Sequence, residues 1–161
     1  MRHDSYFRVK DLSVEFQLGK NYYTAVHQIS FDLKKGETFG LAGESGCGKS
    51  TAAMAIMRML QDNARIREGT VWFQGRDLLS LNQTELRELW WKEIAMIFQA
   101  SLNSLNPVKK VGQQIVEVLT VREGMENKLA WERVEELFTL IGIQPGRARD
   151  YPHEFSGGMR Q

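Results

Sequence analysis

The sequence has 161 residues, 42% of them hydrophobic and 25% charged, with a formal net charge of +1. That is enough for one domain with a core of its own and too short for two comfortable ones. The near-neutral balance excludes a nucleic-acid footprint or an acidic tail, and the longest apolar stretch, around Ile94–Phe98, is far too short to span a bilayer.

Phe7 to Gln17 reads as a strand, with Phe7, Val9, Leu12, Val14 and Phe16 mostly alternating. Ile29, Phe31 and Leu33 alternate likewise, and Lys34-Lys35-Gly36-Glu37 then turns the chain. Thr38–Ala42 is a short apolar run of the kind that makes a buried strand. After Gly48 the period changes: Ala53, Ile56, Met57 and Leu60 fall on one helical face. Gly69–Phe73 is another strand candidate, closed by Gln74-Gly75. Thr84 is placed to cap a short helix through Trp91, and Ile94–Phe98 is a second buried-strand candidate. From Val108 the reading is helical. Val111, Ile115, Val118 and Leu119 share one face, and Ala130, Val134, Leu137, Phe138 and Ile141 another, with Gly142 and Pro145 ending that helix. The polar segment Gln99–Pro107 divides a β-rich part from a helical one. Met1-Arg2-His3-Asp4 has no apolar run behind it, so no secretory signal is expected, and the single cysteine, Cys47, allows no internal disulfide, as in a reducing cytoplasm.

Gly43-Glu44-Ser45-Gly46-Cys47-Gly48-Lys49-Ser50 fits G-x-x-x-x-G-K-[ST] at every fixed position. Its glycines let the backbone curl so that successive N–H groups form an anion nest, to which the helix starting near Lys49 adds its positive dipole end. Lys49 is placed for the β- and γ-phosphates of ATP, the Ser50 hydroxyl for Mg²⁺, and Thr51 for the α-phosphate. Cys47 supplies a backbone N–H and needs no further role. The motif stands between a buried-strand pattern and a helical one, which is the context it requires.

Two later segments narrow the class. Phe155-Ser156-Gly157-Gly158-Met159-Arg160-Gln161 closely resembles the signature motif of ATP-binding cassette (ABC) ATPases, LSGGQ, with Phe155 in place of Leu and Met159 in place of Gln. Gln99 sits where that family carries its Q-loop glutamine. The resemblance implies an α/β fold of the ABC P-loop type. Residues 1–98 would form the β-rich, nucleotide-binding core, and 99–161 the Q-loop and an α-helical subdomain ending in the signature. It also implies that Gln99 contacts Mg²⁺ or the attacking water, and that Ser156, Gly157 and Gly158 face the γ-phosphate held by a second ATPase subunit in a head-to-tail dimer. The family stacks an aromatic on the adenine in the region of Tyr23, with Tyr22 and Phe16 as rival candidates.

Met96-Ile97-Phe98-Gln99, Ser104-Leu105-Asn106-Pro107 and Tyr151-Pro152-His153-Glu154 resemble the ATPase subunits of oligopeptide, dipeptide and nickel importers. That branch implies a subunit at the cytoplasmic face of the membrane, docked on transmembrane permease subunits and fed by an extracytoplasmic solute-binding protein. A soluble ABC ATPase of DNA repair or translation, and a nucleotide-binding module without catalysis, are the competing functions. The sequence contains no run of four apolar residues followed by Asp-Glu, the Walker B pattern that holds Mg²⁺ and supplies the catalytic base. The resemblance therefore covers the first part of the family's domain, truncated after the signature. The polypeptide by itself is expected to hydrolyse ATP feebly or not at all.

Overall fold

The computed structural model describes residues 5–98 and 104–160. The chain divides into two compact units, residues 1–95 and 96–161.

In the first unit the elements run β1 (Phe7–Leu18), β2 (Asn21–Leu33), α1 (Lys49–Ile56), β3 (Ala64–Phe73), β4 (Arg76–Asp77) and α2 (Gln83–Lys92). The four strands form one antiparallel sheet in the order β2-β1-β3-β4. Two-residue turns join β1 to β2 and β3 to β4. The second uses Gln74 (φ 48°) and Gly75 (φ 79°), the paired left-handed residues that suit the twist of a tight hairpin. Along β1 the side chains of Val9, Leu12 and Val14 enter the core, where Val26, Val71, Phe73, Ala52, Ala55, Leu78 and Leu89 meet them.

The sheet is bent at one level. Asp11 (φ 50°) on β1, Gln28 (φ 46°) on β2 and Gly69 (φ 108°) on β3 all adopt left-handed backbone there, and the ladders slip register around them. Such bulges bend the bulged strand and increase its twist. Ser13 holds the bend together. Its buried hydroxyl accepts from the Gln28 N–H at 2.9 Å and donates to Glu68 Oε1 at 3.0 Å. Ser30 Oγ closes the other side, accepting from the Asp11 N–H at 2.8 Å.

The α2 terminus differs from the sequence reading. The cap is Asn82, whose Oδ1 accepts from the Thr84 and Glu85 N–H groups, while the Glu85 carboxylate accepts from the Asn82 N–H. This reciprocal box satisfies three main-chain donors, which a cap at Thr84 would not. On α1 the buried face is Ala52 and Ala55, shifted one residue from Ala53, and the helix stops at Ile56, so Leu60 lies beyond it.

Thr38–Ala42 and Ile94–Phe98 are not strands. Phe39 and Leu41 are about half exposed, and Ile97 is 89% exposed. Both apolar runs match the pattern of parallel strands, which need a ladder partner and covered faces, and neither pairs with a described strand.

The second unit contains α3 (Val111–Glu123), α4 (Asn127–Leu140), two 3₁₀ turns at Pro145–Arg149 and Pro152–Glu154, and α5 (Gly157–Arg160). Its core joins Val111, Val116, Leu119, Ala130, Val134, Phe138, Ala148 and Phe155. Val118 and Ile141, expected on buried faces, are exposed. Val116 takes the place expected of Val118, because α3 turns its narrow inner face toward both α4 and the 145–149 turn. At Gly112 an added Cβ would lie 2.7 Å from the Ala148 carbonyl, so only glycine lets this turn approach. Gly142 (φ 74°) ends α4 as expected.

Substituting Gly69→Ala tests the bend. Its Cβ would stand 2.5 Å from Leu12 Cα at a φ that side chains disfavour. A loss of at least about 2 kcal/mol in urea unfolding is expected.

Candidate nucleotide site

The glycine-rich loop ends where α1 begins. Gly48 is the N-cap residue at φ 94°, and neither a side-chain cap nor an acidic residue occupies the first turn of α1. The helix thus presents its first N–H groups and positive dipole end without a competing side-chain acceptor. Gly48 is fixed by a close approach to the sheet. A Cβ there would meet the Ala25 carbonyl oxygen at 2.6 Å and Val26 Cγ2 at 3.2 Å. Ala25 is the extra residue of a bulge, because Val14 pairs with Val26 while Glu15 pairs with Thr24.

Lys49 folds back over its own loop. Its Nζ donates to the carbonyl oxygens of Gly43 and Glu44, each at 2.7 Å, and lies 3.3 Å from Cys47 Sγ. Cys47 itself is exposed, and its N–H donates to the Glu44 carbonyl at 3.3 Å. A side chain on Gly43 would collide with Cys47 Sγ at 2.7 Å, whereas nothing lies within 4 Å of one built on Gly46. The loop is closed on the Gly43 side and open at Gly46. Ser45 and Ser50 are exposed, and Thr51 is half-buried. Glycines, a helix start and one ammonium group therefore converge, and this set fits a polyphosphate. The Ser50 hydroxyl beside it fits a divalent ion carried by that polyphosphate.

The bulge also separates the aromatic candidates. Tyr23 is the register partner of Phe16, and both follow the pleat of Val14 and Val26, the face on which α1 packs. Tyr22 pairs with Gln17 and shares the opposite face with Glu15. There the Arg65 guanidinium lies over its ring at 3.7 Å and also holds the buried Glu15 carboxylate at 3.0 Å. Tyr23 is 55% exposed. Gln99 lies outside the described residues.

In the second unit Ser156, Gly157 and Gly158 are all exposed, and a Cβ built on either glycine meets nothing within 4 Å. The segment is held from below. Phe155 is buried and meets the Phe138 ring edge-on at 6.4 Å. The Arg147 guanidinium covers the Phe155 ring at 4.7 Å, donates to the Glu154 carbonyl at 2.7 Å and pairs with Asp150 at 2.8 Å. Met159 packs against the same core. Both departures from the family's signature, Phe155 and Met159, are thus apolar contacts with the helical unit. The Arg147 clasp was not foreseen, since an arginine eight residues before a phenylalanine carries no sequence signal.

The fold and this loop define a cassette of the P-loop type, and comparison with known proteins specifies the family. The ABC transporter family profile matches residues 26–161, and the chain belongs to that family. It is 44% identical over 160 residues to the oligopeptide transport ATP-binding protein OppD of Escherichia coli (strain K12), covering 98% of this chain and 47% of that protein. It is 43% identical over 156 residues to the dipeptide transport ATP-binding protein DppD of Bacillus subtilis (strain 168), covering 95% and 47%. The chain spans about half the length of the curated relatives it matches. Among solved structures, the dimeric structure of MJ0796, a bacterial ABC transporter cassette, superposes with a TM-score of 0.81 at 23% identity, over 96% of this chain and 65% of that one. A post-hydrolysis state of the same cassette bound to ADP and Pi gives 0.80. These two likenesses concern the fold. Among the described residues no helix is long and apolar enough to cross a membrane.

The clasp beneath the Ser-Gly-Gly segment can be tested without nucleotide. Phe155→Ala empties a buried aromatic site and is expected to cost about 3–5 kcal/mol in denaturant unfolding, whereas Ser156→Ala, which loses only the long 3.4 Å bond from the Met159 N–H at an exposed position, should cost no more than about 1 kcal/mol.

Proposed function

We propose that this chain is the ATP-binding part of the motor subunit of an ABC importer, in which ATP binding and hydrolysis drive solute uptake. The observation that carries the reading is the Lys49 ammonium folded over a glycine loop at the uncapped start of α1. Belonging to the ABC transporter family supports it. Relatives named for oligopeptide and dipeptide transport favour peptides as the cargo over nickel.

In this reading the N–H groups of Gly46–Thr51 and the Lys49 ammonium hold the triphosphate. Their fixed positive potential counters charge that spreads over the equatorial oxygens as the γ-phosphoryl group transfers. Ser50, with Gln99, would hold Mg²⁺, which would supply positive charge against that of the phosphates. Tyr23 stacks on the adenine from the same sheet face as Phe16. Tyr22 is set aside because its ring faces the other way beneath Arg65. Ser156, Gly157 and Gly158 of one protomer close on the γ-phosphate held by a second ATPase subunit. Their exposure and the open space around both glycines suit that approach. Transmembrane permease subunits dock on the assembly at the cytoplasmic face of the membrane, and an extracytoplasmic binding protein delivers the solute. Since the sequence offers no Walker B carboxylate, the 161-residue polypeptide binds ATP and turns it over feebly or not at all.

Calorimetric titration with ATP·Mg tests the loop. Wild type should bind saturably, and at ligand one hundred times Kd the stabilisation in a thermal-shift titration should approach about 2.7 kcal/mol. Lys49→Ala should abolish tight binding, and an unchanged affinity would refute the assignment.

The adenine contact has a separate test. Tyr23→Ala should weaken ATP roughly ten- to a hundredfold, in line with the worth of one base–aromatic stack, and leave inorganic tripolyphosphate unaffected. Tyr22→Ala should bind both as wild type does. The reverse pattern would move the stack to Tyr22.

A further inference from the structure

The C-terminus of α1 carries an anomaly. Arg58 N–H donates to the Ala55 carbonyl at 3.0 Å and Met59 N–H to the Met54 carbonyl at 2.8 Å, the paired bonds of a Schellman ending. The residue at its left-handed position is Arg58, at φ 53°. At the ends of α3 and α4 the chain uses Gly124 (φ 67°) and Gly142 (φ 74°) for this backbone. Glycine enters that region freely and a side chain does not, so an arginine persists there only where its surroundings hold it.

The side chain shows what holds it. Part-buried, Arg58 Nη1 donates to the main-chain carbonyl of Leu81 at 2.5 Å, with Leu78 O further off at 3.4 Å. Both carbonyls belong to the connection between β4 and α2. That connection is itself fixed, by the buried Leu78 at one end and by the Asn82–Glu85 capping box at the other. Elsewhere the anchors of α1 are apolar. Its buried side chains are the methyl groups of Ala52 and Ala55, followed by Met57 at the C-cap, and its N-cap is a glycine without a side-chain bond. These apolar contacts, with part-buried Ile56 and the Gly48 approach, set the distance of α1 from the sheet, but apolar burial is non-directional and fixes the rotation of the helix less than a hydrogen bond does.

We propose that Arg58 is a positioning residue for the phosphate loop. Its guanidinium pins the far end of α1, and so sets where Lys49 Nζ and the first-turn N–H groups stand. The helix is eight residues, roughly 12 Å, long, so a swivel at Arg58 reaches the loop as a displacement of comparable scale to a hydrogen bond's tolerance. The inference rests on reading the loop as the ATP site.

Arg58→Gly separates the side chain from the backbone, because glycine relieves the left-handed strain while deleting the tether. We expect a melting temperature near that of wild type, since relief of the left-handed strain offsets much of the lost tether, yet ATP·Mg binding weakened about tenfold or more by calorimetry, with Arg58→Lys, which reaches a single carbonyl, in between. Hydrogen exchange at the amides of Ala52–Ile56 should quicken in Arg58→Gly while the amides of β1 and β3 stay as in wild type. An Arg58→Gly chain that binds ATP as tightly as wild type overturns the inference. If wild type itself binds no ATP, the reading of the loop fails first. Exchange in α1 then decides the tether by itself: unaltered exchange overturns it, and faster exchange upholds it.

Discussion

Gly48 touches the sheet through backbone alone. The Ala25 carbonyl and Val26 occupy the space where any Cβ would be, so the glycine loop and the start of α1 rest directly on the β1–β2 ribbon. Everything in the candidate nucleotide site follows from that contact. It seats the helix whose first turn faces the loop, and it brings Lys49 back over Gly43 and Glu44. The contact exists because β2 bulges at Ala25. The same extra residue reverses the pleat beyond it, placing Tyr23 with Phe16 on the helix side and Tyr22 on the other. One inserted residue therefore decides both where the loop sits and which aromatic shares its face.

The rest of the first unit makes that ribbon stiff enough to serve. Three left-handed residues at one level bend the strands, and the buried Ser13 hydroxyl ties the bend across β1, β2 and β3. On the outer face the buried Glu15 carboxylate is satisfied by Arg65 and Arg67 together, with Arg65 also covering Tyr22. An unpaired carboxylate there would be costly. The helical unit follows another plan for its own exposed segment. Phe155 is driven into an apolar core, Arg147 closes over it, and the chain leaves that anchor directly into Ser156-Gly157-Gly158. A short segment of one small hydroxyl and two glycines on a buried aromatic is suited to approach a large anion.

Much of the architecture is legible in the chain. The alternation of Phe7–Gln17 became β1, the i, i+4 spacing of Ala130, Val134 and Phe138 became the inner face of α4, and Gly142 ended it. The errors share a cause. Thr38–Ala42 and Ile94–Phe98 have the composition of buried strands, but a strand is made by its neighbours' hydrogen bonds, and apolar content does not supply them. Thr84 lost the cap of α2 to Asn82 because a box with Glu85 satisfies a donor at each end, which spacing reveals only once the boundary is known. The shift from Ala53 to Ala52 and Ala55 on α1 reflects a helix too short, at eight residues, for periodicity to fix its phase.

The glycines, Lys49 and Ser50 at fixed intervals determine by themselves that main-chain amides and one ammonium gather at a helix start, a set that fits a polyphosphate. That chemistry is local, since a tight turn running into a helix needs only a few consecutive residues to form. Which tyrosine shares a face with the loop, why Gly48 admits no side chain, and what use Arg58 makes of a strained backbone were decided by tertiary structure alone. Each depends on atoms from segments 20 or more residues apart meeting at distances below 4 Å. A linear pattern does not encode such distances until the strands have paired and bulged.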